Sequence, residues 1–190
     1  TQLTSGLVAF VHDGSETTIA SFGVLVEDGN EDTSTATIQT FSLTVTAVND
    51  APVLTGDLTS LVDEGGSVSL LAADLGYTDV DDVDAGITFT VSSLVNGTIV
   101  IGGASVTSFT GTQLTSGLVA FVHDGSETTV ASFGVSVEDG NEDGSSTLSS
   151  GTFNLTVTAV NDAPTVLSTM TGVTAENVPF SYSFAQILSL

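Results

Sequence analysis

The residues of this chain that could do chemistry are acidic side chains gathered in short runs. Of its 190 residues, 23 are Asp or Glu and none is Lys or Arg, which gives a formal charge of −23. Ca²⁺ binds six to eight oxygen ligands, and several acids in one loop repel one another unless a cation lies among them. Because no basic side chain can pair with these acids, the pattern favours calcium as the cofactor. The alternative is a solvated acidic surface that aids solubility.

The candidate calcium ligands lie at predicted strand ends and at two Asn-Asp junctions. One acidic run spans residues 79–84, another spans 138–143, and the latter recurs at 27–32. Alternate spacing in the first run allows every second side chain to turn to the same side of a loop. The full set of candidates is Glu27, Asp28, Asn30, Asn49, Asp50, Asp63, Glu64, Asp79, Asp81, Asp82, Asp84, Glu138, Asp139, Asn141, Asn161 and Asp162.

A long internal repeat defines the organisation of the chain. Residues 1–32 align with residues 112–143 at 30 of 32 positions, and the sequence LTVTAVNDAP occurs at both 43–52 and 155–164. A period of about 110 residues is long enough for each unit to bury its own core. We therefore predict the second half of one repeat at 1–50, a complete repeat at 51–162 and the opening strands of another at 163–190. Without an initiator Met or a targeting segment, we expect the chain to be part of a longer protein.

The pattern of apolar residues predicts an all-β fold. Apolar residues alternate with Thr, Ser and Gly, which is the period of a half-buried strand. Turn signals separate the strands at Asn96-Gly97, Asp124-Gly125 and Asp139-Gly140. Six or seven short strands in about 110 residues indicate tandem antiparallel Greek-key sandwiches. The predicted inward faces are Val68-Leu70-Ala72, Ile87-Phe89-Val91, Ile99-Ile101, Val119-Phe121, Phe133-Val135-Val137 and Phe153-Leu155-Val157.

The composition argues against several classes of function. A chain without Lys or Arg cannot neutralise nucleic-acid phosphates or dock electrostatically on anionic lipid. No apolar run is long enough to insert into a membrane as a helix. The absence of Cys leaves no disulfide and no thiol chemistry, although calcium can replace disulfides in an extracellular protein.

Several segments resemble cadherin-like repeats. The junction Ala47–Pro52 resembles the linker between cadherin domains, and Val137–Asn141 followed by Phe153–Val160 resembles the last two strands of that family with their acidic loop. The middle of the repeat bears a more specific resemblance to the cadherin-like repeat of chondroitin sulphate proteoglycan core proteins. The segments that carry it are Asn96–Ile99, Ser108–Thr110, Gln113–Leu114 and Gly117–Glu127 (GLVAFVHDGSE). Bacterial versions of such repeats form giant surface adhesins.

The resemblance implies a calcium site at the first junction. It would take Asn49 and Asp50 from the linker, Asp79 and Asp81 from the paired-Asp loop, and Asp139 from the acidic loop. Because Ala47 and Val48 replace the leading Asp of vertebrate linkers and an Asp-Arg-Glu motif is absent, one or two ions per junction are expected. Weaker candidates for the same ions are Glu64, Asp82, Asp84 and Asn141.

The sequence His123-Asp124-Gly125-Ser126, with its copy at 12–15, contains the residue types of a hydrolase triad. A triad depends on spatial geometry and not on adjacency in one turn, so we interpret this segment as a turn that ends a strand. Calcium prefers oxygen ligands, which argues against His123 as a metal ligand. We therefore predict that the protein is not an enzyme.

These features predict a calcium-stiffened spacer repeat of a large, secreted bacterial adhesin or surface fibre, which supports adhesion or biofilm formation by length and rigidity. Its partners would be neighbouring repeats, other copies in a fibre, or a cell-surface glycan or receptor. One alternative is a filament subunit whose half repeats, with exposed apolar residues, pair with each other or with another chain. The other is a glycan- or receptor-binding sandwich module, which the lack of Trp disfavours.

Overall fold

The computed structural model describes residues 2–27, 37–140, 148–166, 172–181, 183 and 188–189. The first half repeat contains β1 (Ile19–Val24) and β2 (Gln39–Thr44), and the third segment contains β14 (Thr165–Val166) and β15 (Leu188–Ser189). The elements between them are β3 (Val53–Thr55), β4 (Thr59–Asp63), β5 (Ser67–Ser69), β6 (Gly76–Thr78), β7 (Thr88–Val95), β8 (Gly97–Ile101), β9 (Ala104–Ser105), β10 (Ser108–Thr110), α1 (Gly111–Thr115), β11 (Val119–His123), β12 (Val130–Glu138) and β13 (Ser149–Thr158).

Two sheets form the sandwich predicted for residues 51–162. One has the strand order β10-β7-β12-β13-β4 and the other has the order β5-β11-β8-β9, while β3 and β6 form a separate two-stranded sheet. The pairs are antiparallel except for β13 and β4, which run parallel. The prediction of an all-β sandwich is confirmed.

The alternation of apolar and polar residues along the strands places the apolar side chains in the core. Phe133, Val135 and Val137 on β12 are buried, as are Phe153, Leu155 and Val157 on β13. Polar or small residues occupy the alternate positions and face outward, as is usual for sheets buried on one side. Phe121, Phe133 and Phe153 stack in a row with successive ring centroids 6.2 and 5.0 Å apart, and Phe89 stacks on Phe109 at 5.1 Å.

The predicted inward faces differ from the structure at one end. Ala72 is exposed because β5 ends at Ser69 and the chain then turns. Val68 and Ile101 are only partly buried against the core. Strand β4 was not predicted, since its buried residue Val62 follows the exposed Leu61 without a clear alternation.

The short helix α1 begins with a capping box. The Thr110 hydroxyl accepts a hydrogen bond from the Gln113 amide at 3.2 Å, and the Gln113 side-chain oxygen accepts one from the Thr110 amide at 2.9 Å. This reciprocal arrangement satisfies two amides that have no partner within the helix. It fixes α1 beside the acidic loop 79–84, which α1 contacts through Thr115.

The first half repeat presents its apolar face to solvent. β1 and β2 pair as β12 and β13 do, with Phe22 opposite Phe41 where the complete repeat has Phe133 opposite Phe153. Phe22 and Phe41 are 40% and 55% exposed, whereas their counterparts are fully buried. Among the described residues the strands of 1–50 and 163–190 form separate two-stranded sheets, so the two half repeats do not pair with each other. Pairing with another chain stays a prediction.

Within the described residues, the helical content is confined to the short helix α1. No helix in the described parts of the chain is both long and apolar enough to cross a membrane.

The repeat provides a matched test of core packing. We expect Phe133→Ala to lower the free energy of unfolding by about 3–5 kcal/mol, because it removes a fully buried ring from the stacked core. Urea unfolding followed by circular dichroism measures this change. The equivalent substitution Phe22→Ala is the control, and its effect on the same transition should be below about 0.5 kcal/mol. Equal effects of the two substitutions would contradict the assigned core.

Candidate metal centre

At the first junction, the linker contacts two loops of the complete repeat. The Asn49 side-chain amide donates to Asp139 Oδ2 at 2.7 Å, and the Asp50 amide donates to Asp81 Oδ2 at 2.8 Å. Asp139 is only 4% exposed, so its carboxylate is buried at the end of β12. Burial of a carboxylate is costly unless charge or hydrogen bonds compensate it. The linker therefore contacts one buried carboxylate, that of Asp139, and one exposed carboxylate, that of Asp81.

Asp79 organises the loop that reaches the linker. Its Oδ1 accepts hydrogen bonds from the amides of Asp81 and Asp82 at 2.8 and 2.7 Å. Its Oδ2 is buried and has no hydrogen-bond partner among the described residues. A cleft of about 330 Å³ lies against Asp50 and Asp79 and leaves room for a hydrated cation. An unsatisfied buried carboxylate oxygen beside a cleft is a suitable ligand for a hard cation.

Glu16 adds a further carboxylate from the preceding half repeat. Repulsion by Asp81, followed by burial and repulsion by Asp50, raises the pKa of Glu16. Like charges nearby disfavour the ionised form, so the direction of this shift agrees with a close approach of Glu16 to Asp81 and Asp50. Two of these three carboxylates lie before the repeat boundary and Asp81 lies after it.

The second junction contains a cluster of the same kind. One carboxylate oxygen from each of Glu64, Glu127 and Asp162 lies within 4.8 Å of the other two. Glu64 Oε2 also accepts a hydrogen bond from the Val160 amide at 3.1 Å, which ties the start of the repeat to its outgoing linker. Hydrogen bonding to Asp162 and Glu64, together with repulsion by Glu64, raises the pKa of Glu127.

The two junctions show complementary parts of one arrangement. Glu16 and Asp50 correspond in the repeat to Glu127 and Asp162. The first junction adds Asp81 from the following repeat, and the second adds Glu64 from the preceding one. Superposition of the repeats thus predicts four converging carboxylates wherever two complete repeats meet. Four carboxylates, with backbone carbonyls and water, can complete the coordination shell of Ca²⁺.

Several predicted ligands have other contacts. Both carboxylate oxygens of Asp84 are occupied, Oδ1 by the Tyr77 hydroxyl at 2.7 Å and Oδ2 by the Thr115 hydroxyl at 2.9 Å. The hydrogen bond from Tyr77, followed by that from Thr115, lowers the pKa of Asp84, and burial with the same contact raises the pKa of Tyr77 to about 12. Asp84 therefore connects loop 79–84 to α1 through its hydrogen bond with Thr115.

The remaining candidates lie at the edges of these clusters or beyond them. Asn161 donates to the Asp162 carbonyl at 3.1 Å, as Asn49 does to the Asp50 carbonyl at 3.4 Å. Asp63, Asp82, Glu138 and Glu27 are not in the second-junction cluster. Asp28, Asn30 and Asn141 lie outside the described residues.

Glu16 and Glu127 were not predicted as ligands. Each follows the Asp-Gly-Ser turn directly, and that segment was interpreted for its His, Asp and Ser residues. The sequence did contain a signal for these ligands: in both copies of the repeat, a Glu directly follows the turn that ends a strand. Only the fold shows that this turn lies at the same end of the sandwich as the linker.

The turn itself has no triad geometry. The Ser126 hydroxyl donates to Asp124 Oδ1 at 2.6 Å, which with the Ser126 amide lowers the pKa of Asp124. His123 Nε2 lies 3.1 Å from the Thr128 hydroxyl, and its Nδ1 accepts from backbone amides. The serine is therefore bound to the aspartate and not to the imidazole, and the segment forms an Asx turn.

Comparison with known proteins identifies the family of the sandwich. The model of the cadherin-like domain matches residues 52–158. The chain belongs to the cadherin-like family. Human chondroitin sulfate proteoglycan 4 is 38% identical over 123 residues, which are 63% of this chain and 5% of that protein. Extracellular matrix protein 3 of Lytechinus variegatus is 32% identical over 142 residues, 73% of this chain and 4% of that protein.

The solved structure of human CDH23 EC21-23 covers 85% of this chain and 50% of its own, at 17% identity and a TM-score of 0.47. The cadherin-like chain spans only 4–5% of the length of the curated relatives given above.

The raised pKa of Glu127 predicts a pH dependence of the metal-free protein. A group whose pKa is raised on folding adds stability below its unfolded pKa, and this stability is lost as pH rises through the folded pKa. The melting temperature of the metal-free wild type, relative to that of Glu127→Gln, should therefore fall as pH rises from 4 to 7, because Gln removes the repulsion that the ionised Glu127 experiences. Calorimetry over this range measures the difference.

Asp57→Asn is the control for this comparison, because Asp57 lies outside both clusters and its Oδ1 contact with the Thr59 amide can be kept by Asn. Its pH profile should parallel that of the wild type. A Glu127→Gln profile that also parallels the wild type would show that the second-junction carboxylates do not interact.

Proposed function

We propose that this cadherin-like chain is a calcium-stiffened spacer of a long extracellular adhesin or surface fibre, built from parts of three successive repeats. The observation that carries the proposal is the convergence of linker and repeat carboxylates at both junctions, without any basic residue to balance them. Domains of this family serve structural and adhesive roles, so a spacer is consistent with the fold.

The mechanism would be electrostatic. Without a cation, Glu64, Glu127 and Asp162 repel one another, and the linker that carries Asp162 is pushed away from the sandwich. A bound Ca²⁺ would reverse the sign of this interaction and hold the linker against the repeat. Asp81 shows how the following repeat would join the same ion, because it already accepts a hydrogen bond from the linker at the first junction. Each junction would then have a fixed angle, and the string of sandwiches would become a semi-rigid rod.

The extracellular location follows from the same chemistry. Calcium is available outside the cell at concentrations that saturate weak, carboxylate-rich sites. One matched relative is named an extracellular matrix protein, and this is carried to the present chain as part of the proposal. The repeat would belong to a giant secreted bacterial adhesin that supports biofilm formation by its length. Near-identity of the tandem copies favours this role, because a spacer does not need sites that differ between repeats.

A filament subunit is the second candidate function, and the exposed aromatic face favours it. Phe10, Phe22 and Phe41 stack with ring centroids 5.9 and 5.2 Å apart and remain 40–55% exposed. In a filament this face would be covered by strands of another copy, as the equivalent face of the complete repeat is covered by its own strands.

Calcium should stabilise the complete repeat by mass action. At a calcium concentration 100 times the Kd, we expect an increase of about 2.7 kcal/mol in the free energy of unfolding for each occupied site, measured by thermal unfolding with calcium and with chelator. The double substitution Glu127→Gln, Asp162→Asn should abolish the contribution of the second junction. Asp57→Asn should retain the full effect. No stabilisation of the wild type, or the same stabilisation by magnesium, would refute the proposal.

The filament function predicts association that depends on concentration. Sedimentation velocity from low to high micromolar protein should show growing assemblies that Phe22→Ser, Phe41→Ser weakens, because those rings would form the contact. Leu61→Ser, on the exposed face of β4, is the control for loss of surface hydrophobicity. A monomer throughout this range excludes the filament and leaves the spacer.

A further inference from the structure

His123 is a buried polar side chain at the end of β11 that the proposed function does not use. The residue is 3% exposed, and its ring is inaccessible to solvent. Nδ1 accepts hydrogen bonds from the amides of Gly65 and Gly125, each at 3.2 Å. Backbone amides can only donate, so Nδ1 carries no proton and the neutral ring holds its proton on Nε2. Nε2 therefore donates to the Thr128 hydroxyl at 3.1 Å.

These contacts join the two segments that carry acids of the second junction. Gly65 directly follows Glu64, and Thr128 directly follows Glu127. The backbone of His123 adds a third connection, since its amide donates to the Gly66 carbonyl at 2.9 Å. Each of the two glutamates is thus one residue away from a contact of the same imidazole. The hydrogen bonds of the ring are to neighbours of the two glutamates and not to their carboxylates.

We infer that His123 is the positioning residue of the second-junction cation site, which it preorganises by fixing the segments of Glu64 and Glu127 relative to each other. This inference rests on the proposed calcium function. A ring that holds two ligand segments in place lowers the cost of bringing their carboxylates together, and this cost would otherwise reduce the affinity for the ion. His123 is therefore retained inside the sandwich for a hydrogen-bonding geometry that an apolar side chain could not supply.

The first copy shows what the ring does when one segment is missing. His12 keeps the contacts within its turn, with Nε2 3.0 Å from the Thr17 hydroxyl and Nδ1 accepting from the Gly14 amide at 3.3 Å. Residues 1–50 contain no counterpart of Gly65, and the His12 side chain is 25% exposed, compared with 0% for His123. The turn can therefore form alone, and the connection to the Glu64 segment is specific to the complete repeat.

The test is isothermal calorimetry with Ca²⁺ on the full chain carrying Glu16→Gln and Asp81→Asn, so that the heat reports the second junction. In this background, His123→Ala should weaken calcium binding at least tenfold. His123→Asn should bind calcium more tightly than His123→Ala and more weakly than the background chain, because Asn Oδ1 can accept from the Gly65 and Gly125 amides but no Asn atom replaces the Nε2 contact with Thr128. Val91→Ala is the stability control: it removes core packing outside these segments and should lower the melting temperature without changing the affinity.

The outcomes separate this inference from the proposed function. If the wild-type chain binds no calcium, the proposed function fails and the positioning role fails with it. If the wild type binds calcium but the background chain does not, only the positioning role is overturned, because the second junction then holds no ion. The positioning role alone is also overturned if His123→Ala binds as well as the background chain, or if His123→Asn binds no better than His123→Ala. Nitrogen-15 NMR of the ring gives a check that needs no calcium, since it should show a protonated Nε2 and an unprotonated Nδ1. The opposite tautomer would overturn the assigned geometry.

Discussion

Repulsion between carboxylates that have no basic partner is the constraint on which this structure depends. With 23 acids and no Lys or Arg, each acid must be solvated, hydrogen-bonded or neutralised from solution. Hydrogen bonds from hydroxyls and amides serve Asp84 and Asp124, while the acids at the junctions approach one another instead. Hydrogen bonds thus compensate the charge of acids within a repeat, whereas the acids that meet between repeats have no basic residue in the chain to balance them. This division is the physical basis of the proposed ion-dependent link between repeats.

The sandwich itself avoids the problem because its core and its acids occupy different places. The buried apolar residues lie on the inner faces of the strands, and the carboxylate clusters lie in loops and linkers at the two ends. Folding of each sandwich therefore depends on apolar burial, which the ionic environment affects little. In the proposed spacer the junctions would depend on electrostatics, so the ionic conditions would change the angle between repeats without unfolding the sandwiches.

The sequence predicted the parts of this structure that depend on a local period or a family pattern. The inward faces of β12 and β13 follow from strict alternation, and the linker contacts of Asp50 with Asp81 and Asn49 with Asp139 join residues that the family resemblance had grouped. Strand β4 was missed because its pairing with β13 is parallel and non-local, which a local pattern does not encode. Glu127 was missed for a related reason. Its carboxylate meets Glu64 and Asp162 only because the fold places the turn of Glu127 at the end of the sandwich where the linker leaves, and a local pattern does not encode that position.

The parallel pairing of β4 with β13 has a mechanical consequence. β4 is near the entry of the repeat, β13 is near its exit, and their register runs from Thr59 opposite Asn154 to Asp63 opposite Thr158. When the two ends of the chain are pulled apart, adjacent parallel strands slide along each other, so the hydrogen bonds between them share the load in shear. In a hairpin, by contrast, the same pull would separate the strands from one end, and the hydrogen bonds would break one after another. Tension along a chain of such repeats therefore meets its main resistance in the edge pair of each sandwich.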